Sequence, residues 1–474
     1  MKTLVRVLIL ILFTSACSKK SQVSEVKVTG LKCEYRANPL GVDIAKPRLS
    51  WNLESEQRGI SQSAYQILVS SSQKNLDENV ADVWDSQKVS SDKSIQIGFE
   101  GKPLESNRKY FWKVKIWDKN GGEHFSEPAF WTTGLLNESD WKAKWIGLDK
   151  AVGYDNPNAA HKILSARMLR HEFNIQKKVK SATAFISGLG LFELYINGEK
   201  IGNQVLSPGL TEYNKRAFYM TFDVTRNLQP EKNTIGVVLG NGRYFAMRGG
   251  GTEGTKTYGF PKVICQIEIQ YEDGLTETIN SDETWKLTAS GPIRKNSEYD
   301  GEFYDARMEL KDWNKTGFDD TAWMNAELVE KPGEKLVSQP NEPIKIMDEI
   351  APVSVKEIKP GTFILDMGQN MVGWVELSVK GKSGDKVSMR FAETLKNDGS
   401  LFLDNIRTAE VTDTYILKGQ GDEKWEPRFT YHGFRYVEMI GYPGIPALSA
   451  IKGKVVHDAL EPVRVTENPV RHVA

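Results

Sequence analysis

Asp300 and Glu302 are the nearby acidic residues best spaced for acid–base chemistry. On a β-strand, side chains at i and i+2 lie on one face about 7 Å apart. An inverting glycoside hydrolysis needs two carboxyls roughly 6.5–9.5 Å apart, so this spacing permits it. The sequence shows no apolar pocket that would raise either pKa, and we therefore interpret the pair as a charged strand edge or an ordered turn. Asp305 and Arg307 are expected to face the other way and to pair with each other or with a turn.

A glycine-rich stretch from residue 243 to 258 is the best candidate for ligand binding. An exposed aromatic ring with a few polar groups is enough to bind a sugar. We predict Tyr244, Arg248, Asp300 and Glu302 as ligand-binding residues, and we assign no residue a catalytic role. A mobile surface loop would have the same composition, so that alternative stays open.

Metal-binding and nucleophilic groups are sparse. The run Asp155-Asn156-Pro157-Asn158 carries hard oxygen ligands that suit Ca²⁺, and a plain turn explains it equally well. With six His, three Cys and no C-x-x-C or H-E-x-x-H spacing, no cofactor is expected. We expect Cys33 and Cys265 to be small buried hydrophobes, and His432 to be a structural hydrogen bonder. Lys+Arg 62 against Asp+Glu 62 leaves no net charge, which excludes an electrostatic footprint for nucleic acid.

The first 17 residues are typical of an export signal. Lys2 and Arg6 precede the apolar run Val7–Phe13, which is too short to span a bilayer and fits a secretory core segment. Small residues followed by Cys17 resemble a bacterial lipoprotein cleavage site, at which this cysteine would be lipidated. Thr14 stands where that motif usually has Leu, so ordinary signal cleavage stays open. We expect an exported lipoprotein, held in the periplasm or at the cell surface by its N-terminal lipid alone.

The elements that must position these residues are strands, and we predict an all-β chain of tandem β-sandwiches. Residues 18–138 are expected to form a fibronectin- or immunoglobulin-like sandwich. In Tyr110–Trp117, apolar residues alternate with lysines, which is the pattern of a half-buried strand. Trp51, Trp112 and Trp131 are assigned to the core rather than to a sugar-stacking platform.

Two further sandwiches are predicted downstream. Residues 139–340 should form a jelly-roll-like domain, in which Ala182–Gly198 holds two strands broken at Gly188 and Gly190. The Asn197-Gly198 pair predicts a hairpin turn. A proline-rich stretch from 331 to 360 is interpreted as a linker, and residues 341–457 should form another β-sandwich. Helical periodicity over ten or more residues is absent from the sequence.

Several motifs resemble the N-terminal half of the bacterial α-L-rhamnosidases, glycoside hydrolase family 78. The resemblance extends over nearly the whole chain after the export signal. The motifs are Leu189–Gly198 with Gly240–Tyr244, then Tyr299–Arg307, and finally Leu365–Trp374 with Glu426–Tyr436.

The resemblance implies hydrolysis of terminal α-L-rhamnose with inversion, in an (α/α)₆ barrel that follows the β domains and carries catalytic Glu residues. Residues 458–474 are expected to be a truncated start of that barrel, because twelve helices of about 12 residues need far more chain. Whether this chain is an enzyme therefore stays open. The alternative is a non-catalytic surface lipoprotein that binds rhamnose-containing oligo- or polysaccharide or supports a partner enzyme.

Overall fold

The computed structural model describes residues 26–158, 162–246 and 257–460, which fold into two compact units. The first unit contains residues up to Ala37, Arg48–Lys102 and Tyr110–Phe130. The second contains Asn38–Pro47, Pro103–Lys109 and the chain from Trp131 onward. The export signal with Cys17, Arg248, and residues 461–474 of the expected barrel start lie outside the described residues.

The early strands of the chain form two sheets, ordered β1-β2-β5 and β4-β3-β6-β7, with β8 also paired to β6. The strands are β1 Lys27–Cys33, β2 Arg48–Glu54, β3 Gln62–Ser70, β4 Trp84–Asp85, β5 Ile97–Gly98, β6 Lys109–Asp118, β7 Glu123–Phe125 and β8 Ala129–Thr132. One short helix, α1 Gln73–Asp77, begins at Ser72, whose hydroxyl accepts from the Asn75 N–H.

The alternation of residues in β6 confirms the sequence prediction for this strand. Tyr110, Trp112, Val114 and Ile116 are buried, while the residues between them are half-exposed. The large aromatic side chains are core residues, as expected, because Trp51, Trp112 and Trp131 are almost completely shielded from solvent.

The middle of the chain forms two further sheets, ordered β13-β12-β15-β10-β18-β21 and β22-β9-β16-β11-β14-β23, with β17 paired to β16. Their strands are β9 Ile146–Gly147, β10 Arg167–Ile175, β11 Val179–Leu189, β12 Leu191–Ile196, β13 Glu199–Lys200, β14 Arg216–Asp223, β15 Glu231–Gly240, β16 Lys262–Tyr271, β17 Thr276–Asn280, β18 Lys286–Thr288, β21 Met324–Asn325, β22 Glu327–Leu328 and β23 Lys335–Ser338. Apolar side chains between these sheets form a buried core.

The predicted break between the strands of Ala182–Gly198 is only half right. β11 runs through Gly188, and the chain breaks at Gly190 alone, where a Cβ would lie 2.2 Å from the Asn241 carbonyl oxygen. The predicted hairpin turn is confirmed, since Asn197 and Gly198 both have positive φ, 52° and 90°, as a type I′ turn requires.

The largest sheet has the order β19-β20-β28-β27-β30-β26-β31-β24, and β25 and β29 also pair with β26. Its strands are β19 Ile293–Ser297, β20 Gly301–Asp305, β24 Ile344–Ile350, β25 Ser354–Lys359, β26 Thr362–Lys380, β27 Lys386–Ala392, β28 Thr412–Ile416, β29 Asp422–Trp425, β30 His432–Ile440 and β31 Ile451–Asp458. β19 and β20 precede residue 340 but belong to this sheet. The sheet therefore contains strands from both sides of the expected domain boundary between residues 340 and 341.

The proline-rich stretch from 331 to 360 is not a linker. It contains β23, β24 and β25, which pair with β14, β31 and β26. Its prolines stand between the strands because proline has no N–H to donate to a ladder. Short 3₁₀ turns occupy Glu138–Asp140, Thr225–Asn227, Ala306–Met308, Asp404–Ile406 and Leu448–Ala450. In the described part of the chain, no helix has the length and apolar character needed to cross a bilayer.

Candidate functional site

Glu302 lies in β20, which pairs with β19 on one side and with the parallel strand β28 on the other. Because this strand has a neighbour along each edge, the Glu302 residue is only 1% exposed. Asp300, in the preceding turn, is 2% exposed. The charged-edge alternative is therefore wrong for Glu302, since a strand from much later in the chain covers that edge. The ordered-turn alternative is confirmed for Asp300. The close approach also explains Gly301, at which a Cβ would lie 2.1 Å from the Thr412 carbonyl oxygen.

The Glu302 carboxyl occupies a site that the sequence did not reveal. Its Oε2 accepts hydrogen bonds from the backbone N–H groups of Arg428 and Phe429, at 3.1 and 3.2 Å. Its Oε1 is buried without a hydrogen-bond partner among the described residues. Burial raises the pKa of Glu302 to about 8, and the nearby Asp413 adds to the rise against the opposing effect of Arg428. The expectation that no pocket raises this pKa is also wrong.

A buried polar network extends from this carboxyl. The Glu302 N–H donates to Asp413 Oδ1 at 2.9 Å, and Asp413 Oδ2 lies 3.1 Å from Nε2 of His432. The His432 ring is stacked on Phe391 with 4.2 Å between ring centroids. Asp300 Oδ1 accepts from the Glu410 N–H at 3.1 Å. His432 is thus a structural hydrogen bonder, as predicted, and the network fixes the turn before β20 against β28.

Arg428 connects Glu302 to a second carboxyl, Glu193 of β12. The guanidinium Nη1 lies 3.4 Å from Glu193 Oε2, while Lys200 contacts Glu193 Oε1 at 2.7 Å. Burial opposes ionisation of Glu193, but the charges of Arg428 and Lys200 hold its pKa below the usual range. Two carboxyls with oppositely shifted pKa values can serve as an acid–base pair. Here both carboxyls are buried, and neither lines the cleft that Arg428 faces, so we assign them to positioning Arg428.

A cleft of about 1000 Å³, which we call the Arg428 cleft, opens beside this network. Met168 of β10 and Val238 of β15 form part of its apolar wall, and Trp313 and Arg428 face it from other segments. A Cβ at Gly236 would lie 3.0 Å from the Trp313 ring, so glycine in β15 lets that indole lie close to the strand.

Tyr244 does not provide the exposed aromatic face expected of it. The residue is 3% exposed and packs edge-on against Tyr213, with 5.1 Å between ring centroids. It also stacks on Tyr258 at 6.0 Å. Burial raises the pKa of Tyr244 to about 12, as expected for a phenol within an aromatic cluster. The ring therefore stabilises the base of the glycine-rich stretch, and sugar binding by Arg248 stays a prediction.

Both carboxylate oxygens of Asp155, the charged residue of the proposed calcium run, already bond to protein groups. Asp155 Oδ2 contacts Arg167 Nη2 at 2.8 Å, and neither side chain is exposed. Its Oδ1 accepts from the Ser165 N–H and hydroxyl, at 2.9 and 2.7 Å. Burial opposes ionisation of Asp155, but Arg167 holds its pKa below the usual value. Within the described ranges no group of three or more His, Cys, Asp or Glu residues could hold a metal ion.

Other residues behave as the sequence predicts. Asp305 and Arg307 pair with each other through two hydrogen bonds of 2.9 and 2.7 Å. Cys33 and Cys265 are free and buried. Their thiols are shielded from solvent, and this burial raises both pKa values, that of Cys265 to about 12.

The sequence prediction missed Arg428, Glu193 and Trp313. A signal for two of them was present, because Glu193 lies in the motif Leu189–Gly198 and Arg428 in the motif Glu426–Tyr436. Glu302 belongs to a third motif, and the structure brings all three motifs together around one guanidinium. Trp313 carries no comparable signal.

Comparison with known proteins gives three consecutive family matches. Residues 28–137 match the N-terminal immunoglobulin domain of Rha78A-like proteins. Residues 177–348 match the α-L-rhamnosidase N-terminal domain. Residues 356–457 match the concanavalin-like domain of bacterial α-L-rhamnosidases.

Individual relatives agree with these matches. An α-L-rhamnosidase of Formosa agariphila is 40% identical over 93% of this chain and 48% of its own length. The α-L-rhamnosidase structure from Dictyoglumus thermophilum is 48% identical with a TM-score of 0.85, over 92% of this chain and 49% of that one. The Streptomyces avermitilis α-L-rhamnosidase complexed with L-rhamnose is 31% identical with a TM-score of 0.86, over 92% and 58%. The chain thus spans about half the length of the relatives that it matches.

Proposed function

We propose that this chain, which belongs to the bacterial α-L-rhamnosidases of glycoside hydrolase family 78, supplies the β-domain portion of an enzyme that removes terminal α-L-rhamnose from rhamnose-containing glycans. The observation that carries the proposal is the similarity over 92% of the chain at 48% identity and a TM-score of 0.85 to an α-L-rhamnosidase. In this proposal residues 18–138, 139–340 and 341–457 are its three β-sandwich domains.

The β domains contribute positioning rather than proton transfer. Inverting hydrolysis needs an acid and a base that both reach the sugar, with a water between them. Asp300 and Glu302 are too deeply buried to do so, and one oxygen of each carboxyl accepts hydrogen bonds from backbone N–H groups. We assign calcium no role in this proposal, because the Asp155 carboxylate already accepts hydrogen bonds from Arg167 and Ser165.

The test uses rhamnose release from an aryl α-L-rhamnoside, with aryl α-L-fucoside and β-D-glucoside as specificity controls. Protein expressed from the complete reading frame that carries this chain should release rhamnose only. Residues 18–474 alone, shown to be folded by circular dichroism, should release nothing above a mock purification. Absence of release by the folded product of the complete frame would overturn the proposed function. Release by residues 18–474 alone would overturn the division of labour between the β domains and a barrel.

A second candidate function is non-catalytic: a lipoprotein, exported and anchored through Cys17, that binds rhamnosyl glycan or supports a partner enzyme. The Arg428 cleft favours it, because a glycan-sized space is accessible without any helical domain. Isothermal titration of residues 18–474 with L-rhamnose distinguishes this candidate. Saturable heat, together with no hydrolysis by any product of the reading frame, would support the non-catalytic function. The absence of heat with rhamnose and with its oligosaccharides would exclude that function.

A further inference from the structure

We propose that the Arg428 cleft binds an anionic sugar, a pyranose that carries a carboxylate or sulfate group, as a subsite separate from rhamnose hydrolysis. The inference rests on the proposed function only in taking the ligand to be part of a glycan. Its volume, about 1000 Å³, is at the upper end of the roughly 300–1,000 Å³ typical of small-molecule sites, so it can accept more than one sugar ring.

The charges that line the cleft are unbalanced. Arg307, Lys311, Lys418 and Arg428 oppose only Glu309 and Asp312. Two of the cations are neutralised locally, since Arg307 pairs with Asp305 at 2.7 Å and Lys418 with Glu309 at 2.8 Å. Lys311 makes no ion pair in the part of the chain that the structure describes. Positive charge at the mouth of a partly enclosed, low-dielectric space attracts anions.

Arg428 is the cation best placed to bind an anion. Within the described ranges only its Nη1 makes polar contacts, with Glu193 Oε2 and Tyr195 Oη, both at the long distance of 3.4 Å. Its Nε and Nη2 donate no hydrogen bond to the described residues, and the side chain is 36% exposed. Lys200 takes the nearer position on Glu193, at 2.7 Å. A guanidinium held at one end and open at the other presents the fork that carboxylate and sulfate oxygens accept.

The backbone of Arg428 is held independently of its side chain. Its N–H donates to the buried Oε2 of Glu302 at 3.1 Å, and the next N–H donates to the same atom. The guanidinium therefore starts from a fixed backbone, which reduces the conformational entropy lost when a ligand binds. The Glu302 network thus fixes the Arg428 backbone for ligand binding, a role that the hydrolysis reaction does not require.

The aromatic and aliphatic part of the cleft lining suits the apolar face of a sugar ring. Trp313 lines it and is held between Trp323, stacked at 6.2 Å, and Tyr195, edge-on at 5.8 Å. Met168 and Val238 continue this apolar surface. An aromatic ring with a neighbouring fork of donors binds a pyranose by its C–H face and its charged substituent together.

Isothermal titration of the whole chain tests the proposal with methyl α-D-glucuronide, glucose 6-sulfate and neutral methyl α-D-glucoside. We expect saturable heat with at least one anionic sugar, at least tenfold tighter than with the neutral one. The affinity should weaken severalfold when NaCl is raised from about 0.05 M to about 0.5 M. Heat with glucuronide alone assigns a carboxylate ligand, and heat with sulfate alone assigns a sulfated sugar. Equal affinity for the neutral sugar, or no heat with either anion, would overturn the proposal.

Substitutions separate the site from general effects of charge. Arg428→Gln should weaken anionic-sugar binding at least tenfold, and Arg428→Lys should restore only part of it, because lysine lacks the fork. Lys311→Gln, on an exposed residue that cannot disturb folding, should weaken it twofold to fivefold. Arg226→Gln removes the same charge from an exposed position outside the cleft and should have no effect. Loss of affinity in the Arg226 variant equal to that in the Arg428 variant would refute the site.

Failure of this proposal is distinguishable from failure of the proposed function. Rhamnose release by the complete product is measured separately and should be unchanged in Arg226→Gln, which lies outside the cleft. If the complete product releases rhamnose but the chain binds no anionic sugar, the proposed function is supported and the subsite is refuted. If the chain binds the anionic sugar but no product of the reading frame releases rhamnose, the proposed function is refuted and the subsite is supported.

Discussion

Replacing Glu302 by Gln should remove a pH-dependent loss of stability. The folded pKa of Glu302 is raised from 4.5 to about 8 by burial. Below pH 4.5 the carboxyl is protonated in both the folded and the unfolded states, so its contribution to stability is complete. As pH rises from 4.5 to 8, only the unfolded state loses the proton readily, and stability falls by at most about 1.4 kcal/mol per unit, with a smaller slope near each of the two pKa values. Over this window the wild-type chain should lose about 4 kcal/mol that the Gln variant does not.

The amide is a close substitute for the neutral carboxyl. Its oxygen can accept from the Arg428 and Phe429 N–H groups, as Oε2 does now. At pH 5 the variant should therefore lie within about 1 kcal/mol of wild type, and at pH 9 it should be the more stable protein.

Thermal unfolding of both proteins between pH 5 and pH 9 measures the effect. A difference of about 4 kcal/mol corresponds to a shift of the melting temperature on the order of 10 °C for a domain of this size. Glu334→Gln is the matched control, because Glu334 is exposed and its substitution removes the same charge. If wild type and Glu302→Gln keep parallel melting curves from pH 5 to pH 9, Glu302 is not buried as a neutral acid and our reasoning about the network is refuted.

Three further substitutions test the other assignments. Asp155→Asn should destabilise the chain by about 3–5 kcal/mol in urea unfolding, because it leaves the buried Arg167 unpaired; a melting temperature of wild type that responds to EDTA or Ca²⁺ would contradict this reading. Tyr244→Ala should cost about 3–5 kcal/mol of stability in the same assay and leave rhamnose affinity in calorimetry unchanged, since the ring is buried. Cys17→Ser should abolish incorporation of labelled fatty acid and move the protein from the detergent to the aqueous phase; a labelled variant would exclude lipidation at this residue.

The strands and turns that could be predicted are those whose conformation is determined by residues adjacent in the sequence. The alternation of Tyr110–Trp117 has a period of two and specifies one buried face. Asn197 and Gly198 tolerate positive φ, so they mark a turn whatever lies around them. Large aromatic residues such as Trp51 and Trp112 were assigned to the core because their transfer from water is favourable in any fold.

The burial of Glu302 could not be predicted because its cause is distant in the sequence. The residues around it alternate as an edge strand would, and only β28 turns that edge into an interior position. In the same way the prolines around residues 331–360 mark strand ends, and the partners of those strands are found elsewhere in the chain. Arg428 became significant only when three separate motifs were placed together in space.

The parallel pairing of β20 with β28 has a consequence for biosynthesis. Phe303 lies opposite Thr414 in the register of this pair, so β20 leaves the ribosome long before its partner has been translated. Until then, the nascent chain carries two acidic residues destined for the interior, Asp300 and Glu302, in contact with water. Loop closure over such a distance is slow. A protein interrupted between residues 340 and 356 would leave β20 without its second neighbour, so expression of either part alone should give insoluble material.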